Sequence, residues 1–169
     1  LTYVPLRDFT PISTIASVSI VITGRKDLPV NNLRELLNQA KANPGKFRCG
    51  TAGPGSIGHL SLEMIKSMTG VDILHVPYKG GGAAMTDLIS GNVHMLFASV
   101  LETSAYIKSG KLKGLGVAGP RRVQIIPDVP TLAEAGLAGV EAAGWNGLFV
   151  PAGTPAPVIL RLQQETAKV

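Results

Sequence analysis

Apolar positions along this chain switch repeatedly between strand and helix spacing. Ile12, Ile15, Val18, Ile20, Val21 and Ile22 form a β-branched run that predicts one long strand ending at Gly24. Leu33, Leu36, Leu37 and Ala40 then recur at helical intervals. Asn31 and Asn32 offer an N-cap, Glu35 follows three residues after Asn32, and Asn43-Pro44-Gly45 stops the helix. Lys46 to Thr51 reads as a short buried strand. A helix from Ser56 carries Ile57, Leu60, Met64 and Met68 on one face and ends at Thr69-Gly70.

The alternation continues with a strand from Asp72 to Val76, with Pro77 tolerated at its end, and a helix with Met85, Leu88 and Ile89 on one face that closes at Ser90-Gly91. Val93 to Ser99 is a strand, residues 101 to 109 a helix stopped by Gly110, and Leu112 to Val117 a strand. From Gly119 the prolines 120, 127 and 130 and the box Thr131 to Glu134 predict a short helix held among turns. Trp145 to Val150 reads as the last strand, and Thr154-Pro155 as the cap and first turn of a terminal helix. Strands alternating with helices of about ten residues predict an α/β fold with a largely parallel βαβ sheet and flanking helices.

Two glycine-rich loops each run from a predicted strand into a predicted helix, and this is where ligands collect in such sheets. In the first, Gly53, Gly55 and Gly58 remove Cβ bulk and Ser56 stands at the cap; Thr51, Gly53, Gly55 and Ser56 can offer a hydroxyl pair and bare amides to a carboxylate. In the second, Tyr78, Lys79, Gly80, Gly81 and Gly82 can close backbone amides on an oxyanion while Lys79 adds charge, or form a plain turn with a solvated lysine. The ring of His59 can donate to a ligand or satisfy a nearby carbonyl. Ser99 reads either as a polar contact at a strand end or as the cap before Leu101. Trp145 reads as a core or lobe-contact residue, with a cleft wall as the alternative, and Cys49 as a small buried one.

Composition narrows the alternatives. Sixteen basic residues against 11 acidic ones give +5, mildly favouring anionic ligands, but the basic residues are scattered and aromatics make up only 5%, so nucleic acid is not expected as a partner. The single cysteine excludes an intrachain disulfide and multi-cysteine zinc sites; His59, His75 and His94 share no metal-ligand spacing, and no cofactor is expected. No apolar run reaches the roughly 18 residues of a membrane span. The first loop lacks the Lys-Ser/Thr ending of a phosphate loop and the spacing of the dinucleotide fingerprint. A hydrolase is a further alternative, but GPGSIG departs from the serine elbow, His59 stands too close to Ser56 in sequence to be its base, and no carboxylate is placed to orient that histidine.

Four blocks in order, DFTPIS at 8–13, KANPGK at 41–46, HLSLEMIKSMTGVDILHVPYKGGGAAMTDLISG at 59–91 and PDVPTLAEAGL at 127–137, resemble the Bug-type solute receptors of tripartite tricarboxylate transporters. Ala83 stands where that motif often has proline, and the strand and Gly-Gly loop that usually open such receptors do not precede these blocks. The resemblance implies a periplasmic-binding-protein-like fold of two lobes. Residues 13–118 would form the second, ligand-binding lobe, 1–12 and 119–139 hinge and crossover segments, and 140–169 a segment returning to the first lobe. It implies a periplasmic receptor, with no catalysis, that takes a small carboxylate for membrane transporter subunits. It also favours ligand contact by both glycine loops, with Thr51, Ser56, His59 and Ser99 setting specificity. A sensory module with the same pocket stays open, and an incomplete lobe can associate with a second copy.

Overall fold

In the computed structural model, which describes residues 2–168, three of the six described helices open on a residue whose side chain accepts from a first-turn amide. In chain order the elements are α1 (Pro5–Asp8), β1 (Phe9–Arg25), α2 (Leu33–Ala42), β2 (Phe47–Thr51), α3 (Ile57–Thr69), β3 (Ile73–Pro77), α4 (Gly81–Ile89), β4 (Met95–Ser99), α5 (Val100–Lys108), β5 (Leu112–Ala118), β6 (Ala143–Pro151) and α6 (Ala156–Thr166). Asn32 caps α2 by accepting from the Glu35 amide at 2.9 Å, and Glu35 answers at the Asn31 amide at 2.8 Å. Gly70, at φ +69°, closes α3 by donating to the Lys66 carbonyl at 2.8 Å.

The chain divides into two compact units, Val18–Gly144 and Leu1–Ser17 with Trp145–Val169. In the larger unit the strand order is β3-β2-β4-β1-β5. β2 pairs in parallel with β3 and β4, whereas β1 pairs antiparallel with β4 (Ile20 opposite Ser99) and with β5 (Ile20 opposite Ala118). The expected parallel sheet is therefore interrupted by one opposed strand. The β4–α5–β5 connection steps over β1, so β2, β3, β4 and β5 still point the same way.

Side chains alternate across the pleat and build a core on each face. Ile20 and Ile22 of β1 and Met95 and Phe97 of β4 pack with Leu33, Leu36 and Ala40 of α2 and Leu62 and Ile65 of α3. On the other face Leu96 and Ala98 meet Ala84 and Leu88 of α4, and Val21 meets Val100, Val117, Ile126 and Val129. Cys49 is fully buried in the first cluster, and burial pushes its thiol pKa far up, leaving an inert packing group.

Several expectations need correcting. The face of α3 that carries Ile57, Leu60, Met64 and Met68 is turned outward, Leu60 being 61% exposed, while Gly58, Ser61, Leu62 and Ile65 are buried. Close approach decides this: a Cβ at Gly58 would lie 2.9 Å from the Cβ of Phe97, so the helix lays its small-residue side on β4. Thr131 to Glu134 forms both hydrogen bonds of the box, at 2.7 and 3.1 Å, yet makes a turn instead of a helix. There the backbone is drawn to the sheet, Thr131 bridging Val117 and the Leu132 amide donating to the Val117 carbonyl at 2.9 Å.

The smaller unit holds α1, the start of β1, β6 which pairs with β1, and α6. Gln163 of α6 donates to the Ile12 carbonyl at 3.4 Å. Pro155, not Thr154, is the N-cap of α6; the Thr154 hydroxyl donates instead to the Pro151 carbonyl at 2.8 Å. Trp145, expected as a core or lobe-contact residue, is 62% exposed on β6 beside Phe149, which overturns only the core reading.

Candidate functional site

The carboxyl ends of β2, β3 and β4 lie along one edge of the sheet, and the chain leaves β2 and β4 in opposite directions. β2 leads through α3 to β3 on one side, and β4 leads through α5 to β5 on the other, which is the topological switch where α/β sheets hold ligands. All eleven residues singled out in the sequence sit on this edge or in the first turns that leave it.

Thr51 ends β2 opposite Pro77, and the Tyr78 amide donates to the Thr51 carbonyl at 3.0 Å, which ties the two glycine loops together at their roots. Gly53 stands at φ +125°, where a side chain is strained, and a Cβ there would come 3.2 Å from the Tyr78 carbonyl oxygen. Its amide donates to the buried Thr51 hydroxyl at 3.3 Å, its carbonyl accepts from the Ser56 amide at 3.2 Å, and the Ser56 hydroxyl accepts from the His59 amide at 3.3 Å. The loop is thus held by its own backbone together with the Thr51 and Ser56 hydroxyls.

Two imidazoles brace it. His59 Nδ1 accepts from the Gly55 amide at 3.1 Å, its ring stacks on that of His75 at 4.2 Å, and His75 Nε2 lies 2.6 Å from the Thr51 hydroxyl. Cys49 opposite His75 in the β2–β3 register puts Thr51 two residues along on the same face of the pleat, which makes that contact. Burial pushes the His75 pKa below its usual value; neighbouring His59 pushes the same way, Glu63 opposes it and Lys66 adds to it.

The second loop is organised differently. Gly80, at φ +114°, is the N-cap of α4 and supplies no side chain, so no side chain caps the first-turn amides. Gly81 and Gly82 lie inside this first turn, not in the loop as expected. The Lys79 side chain is exposed and makes no ion pair among the described residues. Tyr78 turns inward: its ring lies 3.3 Å from where Gly50 would carry a Cβ, and its hydroxyl donates to Asp87 at 2.6 Å. Burial, with that bond to Asp87, leaves the phenol pushed up to about 12.

Ser99 makes a capping box on α5, accepting from the Leu101 amide at 3.1 Å while Glu102 accepts from the Ser99 amide at 3.3 Å. The other carboxylate oxygen of Glu102 lies 3.4 Å from the Cβ position of Gly81, so an acidic group flanks the uncapped end of α4. The Ser-x-x-Glu spacing could have revealed the box; its approach to α4 depends on how the two helices lie side by side. His94 is structural, its Nδ1 accepting from the Arg48 amide at 3.1 Å. Two grooves of about 490 Å³ lie elsewhere, one along α2 at Pro29, Glu35 and Gln39 and one at Arg25, Gly91 and Lys111, and the glycine loops line neither.

In chemical terms the edge carries the uncapped first turn of α4, with Gly80 as its N-cap, beside a loop whose Gly53 and Gly55 amides are bonded within the chain. The model of the tripartite tricarboxylate transporter family receptors matches residues 1–169 of this chain. The chain belongs to this receptor family. Among curated members it is 33% identical to BugT of Bordetella pertussis over 96% of its own length and 50% of BugT, and 36% identical to an Agrobacterium vitis protein over 97% of its own length and 47% of that protein. It spans about half the length of the curated relatives it matches. Among solved receptor-family structures, Rpa4515 of R. palustris with adipate superposes at a TM-score of 0.93 and 36% identity, over 98% of this chain and 55% of that one. MatC of Rhodopseudomonas palustris with bound malate superposes at 0.89 and 31% identity, over 99% and 57%. The periplasmic binding protein BugD superposes at 0.88 and 37% identity, over 94% and 53%.

Proposed function

We propose that this chain is the ligand-binding part of a receptor that captures a small carboxylate and delivers it to the membrane subunits of a tripartite tricarboxylate-type transporter. The observation that carries the reading is the uncapped amino end of α4 beside the braced loop of Thr51 to Ser56, joined by the Tyr78–Thr51 backbone bond. One ligand carboxylate is taken by the amides of Gly80, Gly81 and Gly82. The Thr51 to Ser56 loop, with Gly53 and Gly55, the Nε2 of His59 and the Ser99 edge supply further contacts, and Lys79 adds long-range attraction. Tyr78 contributes its backbone, since its hydroxyl is taken by Asp87. The adipate and malate of the two neighbouring structures agree with a ligand of this class.

On this reading the second lobe, expected at residues 13–118, falls mostly within the unit Val18–Gly144, and the receptor works in the periplasm. No helix among the described residues is long and apolar enough to cross a membrane. Hydrolysis is disfavoured because the Ser56 hydroxyl bonds the backbone of His59, not its ring, and the ring's Nδ1 is occupied by Gly55. A calorimetric screen of mono-, di- and tricarboxylates tests the proposal. Saturable heat with at least one of them is expected, and indifference to all would contradict it.

A further inference from the structure

The two stacked histidines do more than fill space, because each holds one end of the same loop. His59 Nδ1 accepts the Gly55 amide, so that nitrogen carries no proton and the neutral ring keeps its proton on Nε2. His75 reaches the loop's other end at the buried Thr51 hydroxyl, which also accepts from Gly53. With ring centroids 4.2 Å apart, the pair tolerates two neutral rings far better than two charged ones.

We infer that His59 and His75 are positioning residues that hold the Thr51 to Ser56 loop in its ligand-ready shape only while both rings are neutral, so that carboxylate binding is coupled to their protonation. The inference rests on the carboxylate reading of the loops. A proton on His59 Nδ1 turns an acceptor into a donor facing the Gly55 N–H, and that bond is lost. A proton on His75 leaves its bond to Thr51 formed but sets a charge against the face of His59.

The charged groups that face the pair are Glu63 and Lys66 of α3, which bond each other at 2.9 Å and so largely offset one another. From β2 the neighbours are Thr51 and Cys49, both uncharged. The depressed pKa of His75 has the matching sign: its neutral ring is fully present above the usual imidazole value and is lost as pH falls through the lowered one.

The test compares the chain with His59→Asn, whose amide oxygen can occupy the place of Nδ1 without titrating, with His59→Gln, which cannot reach it, and with the pair His59→Asn, His75→Gln. Adipate affinity is measured by amide shift titration between about pH 7.5 and pH 5.5. The wild type is expected to lose about tenfold more affinity on acidification than the double variant, which shares the titration of the ligand itself. At neutral pH and without ligand, His59→Asn should leave the Gly55 amide signal near its wild-type position, because the bond to Gly55 is kept, and His59→Gln should shift it. Equal pH profiles, or wild-type affinity that rises on acidification relative to the double variant, would overturn the inference.

Without ligand, the Gly55 amide signal should follow the imidazole titration, and a Gly55 signal indifferent to it would also overturn the inference. Absence of binding by every form to adipate and to the other carboxylates of the screen, with Gly55 still following the histidines, would instead refute the carboxylate reading while leaving the latch standing.

Discussion

The Tyr78 amide donates to the Thr51 carbonyl at 3.0 Å, and through this one bond the loops that follow β3 and β2 leave the sheet as neighbours. Residues 27 positions apart are thereby placed side by side. Sequence shows two glycine-rich loops; the backbone bond makes them one surface.

Gly53 is a tight point of that surface, at φ +125° and with the Tyr78 carbonyl oxygen only 3.2 Å from where an alanine methyl would stand. Gly53→Ala is expected to cost about 1–3 kcal/mol and to weaken carboxylate binding by pushing the loops apart. Gly55→Ala faces open space at φ +75° and should cost only the backbone strain of about 1–2 kcal/mol. Chemical denaturation of the two variants checks the order. Equal losses would mean the contact with Tyr78 is slack.

Glu102 places a carboxylate oxygen 3.4 Å from the Cβ position of Gly81, close to the donors assigned to the ligand. Glu102→Gln keeps a residue able to complete the box on Ser99 but removes the charge. Carboxylate affinity should rise about two- to fivefold, as expected for one charge at a helix end, and the gain should shrink in high salt. Unchanged affinity at low salt would show that the ligand sits away from α4.

Thr23 is fully buried in β1, and its hydroxyl has no hydrogen-bond partner among the described residues. It lies where the pairing with β5 shifts register between Ile22 and Thr23. Thr23→Val keeps the shape and removes the orphan group, so a gain of about 1 kcal/mol is expected in a urea melt. A loss instead would mean that a buried water already serves the hydroxyl.

Local features of this chain were legible because they rest on residues three or four apart: Asn32 with Glu35, Ser56 before α3, Gly70 after it. The exposed face of α3 was not, because both of its faces carry apolar residues and the choice depends on Gly58 meeting Phe97, 39 positions on. The insertion of β1 between β4 and β5 is likewise non-local, and nothing in the run Ile12 to Gly24 announces its direction. In the site, the residue types and loops could be read directly. The bonds of Thr51 to His75, Tyr78 to Asp87 and the approach of Glu102 to Gly81 needed strand register and helix neighbours.

The most direct test is a residue-resolved ¹H–¹⁵N amide titration of the chain with malate or adipate. The account predicts saturable shifts concentrated at Gly53, Gly55, Ser56 and Gly80 to Gly82, with the Arg25–Lys111 groove unaffected. Saturable shifts centred on that groove, or none at the two glycine loops, would contradict it.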